Sequence, residues 1–235
     1  MQFTQNNCMD FRAALYLLAH REKPIKWLLL PMIHVGSATY YETILSRLNQ
    51  CDGVLMEGVR TTKAKVLFHL QSWMLRYSHL DLVPQKAFLH QDSIKIPIVQ
   101  SDLSHKAFDQ DYGQVPLWLK GALWLFFPFL YLYGHLLTRN MLARNLAIED
   151  LVSREENLEP DTFEPMDQLI LLKRDDHLIE TMHRLQSSAI SDQTLAICWG
   201  AKHMRAIAYE LMHLQGYHVE SAEWVTIFPL EQDPK

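Results

Sequence analysis

Short unbroken apolar runs and helical apolar stripes alternate at both ends of the chain. Trp27 to Ile33 (WLLLPMI) has the length and composition of a strand buried on both faces, with Pro31 weakening its far end. A helix is predicted next: Thr39 and Glu42 make a capping-box pattern, and Tyr41, Ile44, Leu45 and Leu48 supply the apolar stripe. Asp52-Gly53 turns the chain into a second strand, Val54 to Glu57, which completes a βαβ unit of a parallel sheet. Ile96 to Gln100 is a third strand candidate. Leu195 to Trp199 (LAICW) is a fourth, followed by a helix with the stripe Met204, Ile207, Ala208, Leu211 and a stop at Gly216. Tyr217 to Phe228 offers one or two closing strands.

Between these ends the pattern is mostly helical, over Thr62 to His79, Pro116 to Asn145 and Phe163 to Ser188. The expected architecture is α/β, a central mixed, mostly parallel sheet flanked by helices, in a single domain over 1–235. A large, mostly helical insertion, 104–190, separates the N- and C-terminal sheet halves. It holds an apolar segment, 117–137, and an acidic stretch, 149–167, with eight acidic residues and one arginine. The acidic stretch fits a solvated loop better than a cation site. The apolar segment carries no charge from Gly121 to Gly134, yet those 14 residues make a helix of only about 21 Å, short of a bilayer core of about 30 Å. Three options stand for it: a buried helix, a hairpin bent at Pro128 that dips into a membrane, or a homo-oligomer contact.

Composition narrows the function classes. Across 235 residues, 22 Lys and Arg face 27 Asp and Glu, for a net charge of −5, so nucleic acid is not an expected partner. Eight glycines argue against Gly-rich phosphate loops. Cys8, Cys51 and Cys198 are too few and too scattered for a disulfide framework, and they fit buried, reduced thiols. The first residues lack a basic region and a small-residue cleavage site, so the expected compartment is the cytoplasm, including the inner face of a membrane.

Candidate chemistry collects where the predicted strands end. The first strand runs into Pro31-Met32-Ile33-His34 and the late strand into Gly200-Ala201-Lys202-His203, each followed by a helix. Ligands in open α/β sheets gather at the carboxyl ends of strands, so His34 and His203 are placed to converge. Glu57 and Asp102 end the second and third strands on the same rim. Two histidines with one or two carboxylates are a typical divalent-metal set, and a carboxylate beside a metal-bound water can act as general base. By contrast, His177, Glu180 and His183 do not share one helix face, and Cys198 inside an apolar strand fits core better than nucleophile.

The block Ile33 to Arg60 (IHVGSATYYETILSRLNQCDGVLMEGVR), together with GAKH at 200–203, resembles the TraB/PrgY and Tiki group of the EreA/ChaN-like superfamily. That group carries two G-x-x-H motifs and a Glu at the end of the second strand. The resemblance matches His34 and His203 to the motif histidines, Glu57 to the strand-end Glu, Asp102 to an Asp after a middle strand, and Arg174 in LLKRDDHL to the Arg of a Glu-Arg-Asp helix. It implies a metal-dependent hydrolase of peptidase-like type acting on a peptide or small-molecule substrate, with Mn, Co or Zn as cofactor. His34, His203 and Glu57 would be the metal ligands. Glu57, Arg174 and Asp102 would be the catalytic residues, Arg174 stabilising an oxyanion and Asp102 orienting a histidine or completing the metal shell. The chain departs from the pattern at Pro31, which stands for the first motif Gly, and at Lys173, which stands for the Glu. The competing expectation is therefore an inactive relative that serves as a peptide-binding or membrane-associated regulatory module, with peripheral membrane contact or a homo-oligomer interface through 117–137.

Overall fold

The computed structural model describes residues 1–58, 80–88, 91–103, 136–147 and 172–230, with single positions 118, 121, 125, 129, 132 and 133. The fold is mixed α/β, with a central, mostly parallel sheet flanked by helices. Four strands form its parallel part, side by side: β3 (Ile25–Met32), β8 (Gln193–Gly200), β5 (Gly53–Met56) and β7 (Ile98–Gln100). Two very short strands, β4 (Val35–Gly36) and β6 (Val83–Pro84), pair separately beside the end of β3.

The faces of the sheet follow from the two-residue period of a strand. On β3, Leu30 and Met32 join one buried cluster, while Ile25, Trp27 and Leu29 join another. On β8 the same alternation sends Ala196 and Cys198 one way and Leu195, Ile197 and Trp199 the other. Helix α1 (Ala38–Leu48) covers the first face with Tyr40, Tyr41, Ile44 and Leu48, joined by Leu142 and Ala143 of α2 (Arg139–Leu146). The second face is covered by Leu178 and Met182 of α3 (Lys173–Ser188) and by Met204, Ile207 and Ala208 of α4 (Met204–Tyr209), which continues as a π-helical turn to Leu214. Gly216 then takes φ +77°, the left-handed value that ends a helix.

Two details differ from the sequence reading, and one of its alternatives is decided. The cap of α1 is Ser37, whose hydroxyl accepts from the Tyr40 backbone N–H at 3.2 Å, in place of the Thr39 capping box. The closing segment is one strand, β9 (His218–Pro229). Most substantially, the chain starts with two strands that the sequence reading did not place, β1 (Thr4–Asn6) and β2 (Asp10–Ala19). Strand β9 pairs antiparallel along all of β2, so β1 and β3 must share the opposite edge of β2, at Phe11–Ala13 and Tyr16–Leu18 respectively. This antiparallel wing extends the parallel sheet beyond β3.

The stretch 62–79 expected to be helical, the acidic stretch 149–167 and most of the expected 104–190 insertion lie outside the described residues. Within 117–137, positions 118, 121, 125, 129, 132, 133 and 136 are helical, and Trp118, Leu125, Phe129, Leu132, Tyr133 and Leu136 are exposed. Among the described residues, no helix is long and apolar enough to cross a membrane. Cys8 is exposed rather than buried; Cys51 and Cys198 are buried free thiols.

Candidate functional site

Because β3, β8, β5 and β7 run parallel, their carboxyl ends lie on one rim. One residue past β5 stands Glu57, and two past β7 stands Asp102; His34 follows β3 and His203 closes the 3-10 turn after β8. The first turn of α3 supplies two more side chains, Arg174 and Asp175, both buried.

Arg174 joins the two carboxylates. Its Nε donates to Asp102 Oδ1 at 2.9 Å and its Nη2 to Asp102 Oδ2 at 2.7 Å, a bidentate pair; the same Nη2 donates to Glu57 Oε1 at 2.7 Å. The other Glu57 oxygen, Oε2, accepts from the Gly200 backbone N–H at 2.7 Å. Asp102 also accepts from the backbone N–H groups of Gly58 at 2.9 Å and Leu103 at 2.8 Å. Beneath the guanidinium lies Trp199, 5.2 Å from its ring centroid, with its indole N–H donated to Ser101 Oγ at 3.1 Å.

This network sets the charge of Glu57. Burial alone would raise its pKa, but the Arg174 charge, then His203 and His34, then the Arg174 hydrogen bond outweigh burial and bring it from 4.5 down to about 2. Glu57 is therefore a standing anion at neutral pH and a weak base. Burial works against the Arg174 cation, and its bonds to Asp102 and Glu57 overcome that and push its pKa up.

His203 is 3% exposed, and its Nδ1 lies 2.5 Å from Asp175 Oδ1. An ionised carboxylate only accepts, so Nδ1 is the nitrogen that donates to Asp175. That Nε2 lies 3.9 Å from Glu57 Oε1, and the ring meets Trp199 edge-on, centroids 5.1 Å apart. His34 is held differently: its Nδ1 lies 3.2 Å from Gln85 Oε1, and its carbonyl accepts from the Gln85 N–H at 2.9 Å.

The two motif junctions are built unlike each other. A Cβ on Gly200 would stand 3.1 Å from Glu57 Oε2 and 3.4 Å from His203 Cδ2, so a side chain there would press on the carboxylate that the backbone N–H holds. Pro31 faces no such demand. The β2 pairing with β3 ends at Leu29, before Pro31, whose carbonyl accepts from the Tyr40 hydroxyl at 2.8 Å. The Ile33 carbonyl accepts from the Tyr41 hydroxyl at 2.7 Å.

Sequence reasoning brought Glu57, Asp102, Arg174, His203 and His34 to one rim, and the structure puts the first four within direct or near contact. In the geometry Asp102 holds Arg174, and Arg174 binds two carboxylates. Sequence reasoning missed Asp175, Gln85 and Trp199. Asp175 had a signal, since it directly follows Arg174 on one helix turn; Gln85 had none, because only the β4–β6 pairing brings it to His34. Cys198 is core, its thiol pushed up to about 12 by burial and then by the Glu57 charge. His177 and His183 have separate partners, Glu180 at 4.0 Å and Glu210 at 2.7 Å.

In this arrangement the carboxylate oxygens already have protein partners. Both oxygens of Asp102 are taken by Arg174 and backbone N–H groups, and both oxygens of Glu57 are engaged by Arg174 and Gly200. Among the described residues, no three His, Cys, Asp or Glu side chains come together to hold a metal. In comparisons with known proteins, no family, no curated protein and no solved structure matches this chain.

Proposed function

We propose that the rim cluster is a hydrolytic site acting on acyl bonds, with a peptide as the substrate class suggested by the resemblance to the TraB/PrgY and Tiki group. The observation that supports it is the His203–Asp175 pair: a buried imidazole whose tautomer is set by a carboxylate, with Nε2 turned to the standing anion Glu57. In this reading Nε2 takes a proton from a water molecule as that water attacks the acyl carbon, then returns it to the leaving group. Asp175 and Glu57 stabilise the imidazolium formed in between. Arg174 keeps Glu57 ionised and in place. His34, fixed by Gln85, lies on the same rim as a substrate-facing group. The working compartment in this reading is the cytoplasm.

The test is hydrolysis of a broad peptide library and an ester panel by untagged protein, with and without a chelator and added Mn, Co or Zn. Activity is expected to survive chelation and to drop roughly 100-fold or more in His203→Ala, while Asp175→Asn loses kcat with little change in KM. No turnover of any substrate under any of these conditions overturns the reading, and chelator-sensitive turnover restores the metal-dependent one.

A second reading, a membrane-associated regulatory module within the helical insertion, is supported by the six large apolar side chains exposed between Trp118 and Leu136. It predicts that the protein sediments with lipid vesicles and that Leu125→Glu with Leu132→Glu releases it. Equal recovery in the supernatant for both proteins removes this reading.

A further inference from the structure

We infer that Arg174 is the cluster's own cation: it holds the place between Glu57 and Asp102 that a divalent ion would take, and removing its guanidinium turns the cluster into a divalent-cation site. One nitrogen, Nη2, stands 2.7 Å from an oxygen of each carboxylate and so bridges them, as an ion would. A metal bonded to the same oxygens would sit within a few Å of the guanidinium in a buried site, where like charges repel strongly.

The guanidinium is not free to move aside. It lies over Trp199, whose indole N–H is tied to Ser101, and Ser101 in turn donates to the Met56 carbonyl at 3.4 Å. The next residue, Asp175, is engaged by His203. The arginine is thus built in from both sides, and the wild-type cluster is complete without a metal.

Without the guanidinium the remaining groups change character. Two buried carboxylates lose their counter-ion while staying anchored through Gly200, Gly58 and Leu103. His203 Nε2 lies 3.9 Å from Glu57 Oε1, with Asp175 behind its Nδ1 as the outer partner that orients metal-binding histidines. Carboxylate oxygens with one imidazole suit Mn²⁺ and Zn²⁺.

The experiment reads binding and stability rather than turnover, so it stands apart from the hydrolytic reading: absence of activity leaves it intact, and its failure leaves the activity assay intact. Untagged full chains of wild type, Glu57→Gln, Arg174→Met, Arg174→Lys and Arg174→Met/Glu57→Gln are titrated with MnCl₂ by calorimetry and melted with and without it. Arg174→Met is expected to gain one Mn²⁺ site, with Tm rising by roughly 5–10 °C at a hundredfold excess over Kd. If it folds only with Mn²⁺, metal-dependent recovery of the circular dichroism spectrum is the same result. Arg174→Lys keeps a cation and gains no site, and the Glu57→Gln double variant loses the gain. Wild-type Mn²⁺ binding that Glu57→Gln abolishes overturns the inference, as does an Arg174→Met protein that neither binds nor is stabilised by Mn²⁺.

Discussion

The junctions after β3 and β8 have the same spacing to a histidine and opposite constructions. At Gly200 the main chain itself is part of the ion network, donating its N–H to Glu57 where a Cβ would make a tight contact with the same carboxylate. At Pro31 the main chain only accepts, from Tyr40, and the histidine three residues on is steadied by Tyr41 and Gln85. One junction is electrostatic and the other is braced by packing. The difference shows why a lost glycine need not dismantle a site: at Pro31 the main-chain carbonyl is held by Tyr40, whereas at Gly200 a side chain would crowd Glu57.

Substitutions can break this contrast. The largest effect is expected for Gly200→Ala, which pushes a methyl into Glu57 and His203 and should cost about 3 kcal/mol in chemical denaturation, against less than about 1 kcal/mol for Pro31→Ala. Similar losses at both positions would erase the asymmetry. Acid melting is next. The Glu57 pKa lies below its ordinary 4.5, so its ionisation stabilises the fold above pH 4.5, and that contribution fades as pH falls toward 2. A loss on the order of 2–3 kcal/mol across that window is expected in wild type, and a flatter profile in Glu57→Gln.

Smaller effects sharpen the packing side. Tyr40→Phe and Tyr41→Phe each remove a buried hydroxyl donor from a carbonyl and should cost about 1–2 kcal/mol. Tyr41→Phe should also disturb His34, seen as a changed imidazole resonance by NMR, while Tyr40→Phe leaves that resonance in place. The least of the set is the cap: Ser37→Ala should lower stability by about 1 kcal/mol and Thr39→Ala by a few tenths. The reverse order would return the helix start to the Thr39 pattern.

How much of this was legible depended on where the information sits. Strands covered on both faces show as continuous apolar runs, so β3, β5 and β8 were visible, with β7 as the candidate Ile96 to Gln100, and in a parallel sheet their ends mark one rim; Glu57, Asp102, His34 and His203 followed from that. Strand β2 was not visible, because DFRAALYLLA is rich in Ala and Leu, good helix formers, and its burial does not alternate cleanly. Its pairing with β1, with β3 and with β9, about two hundred residues away, decides its state. The Thr39 capping box was a sound local pattern that lost to Ser37, two residues earlier. Arg174 was found by resemblance, but its task depends on distances to two carboxylates from separate strands, which no spacing in one sequence reports.

The long β2–β9 pair bears on how the molecule folds. Asp10 lies against Pro229 and Ala19 against His218, while β8 slots between β3 and β5 from the far side of the chain. Such contacts close very long loops and make for slow folding. Arg174 and then the Gly200 N–H arrive late in synthesis, so the carboxylates of Glu57 and Asp102 must wait for most of the chain before their ion network can form. A ribosome-bound chain that stops before Arg174 would hold those charges without the counter-ion that makes their burial tolerable.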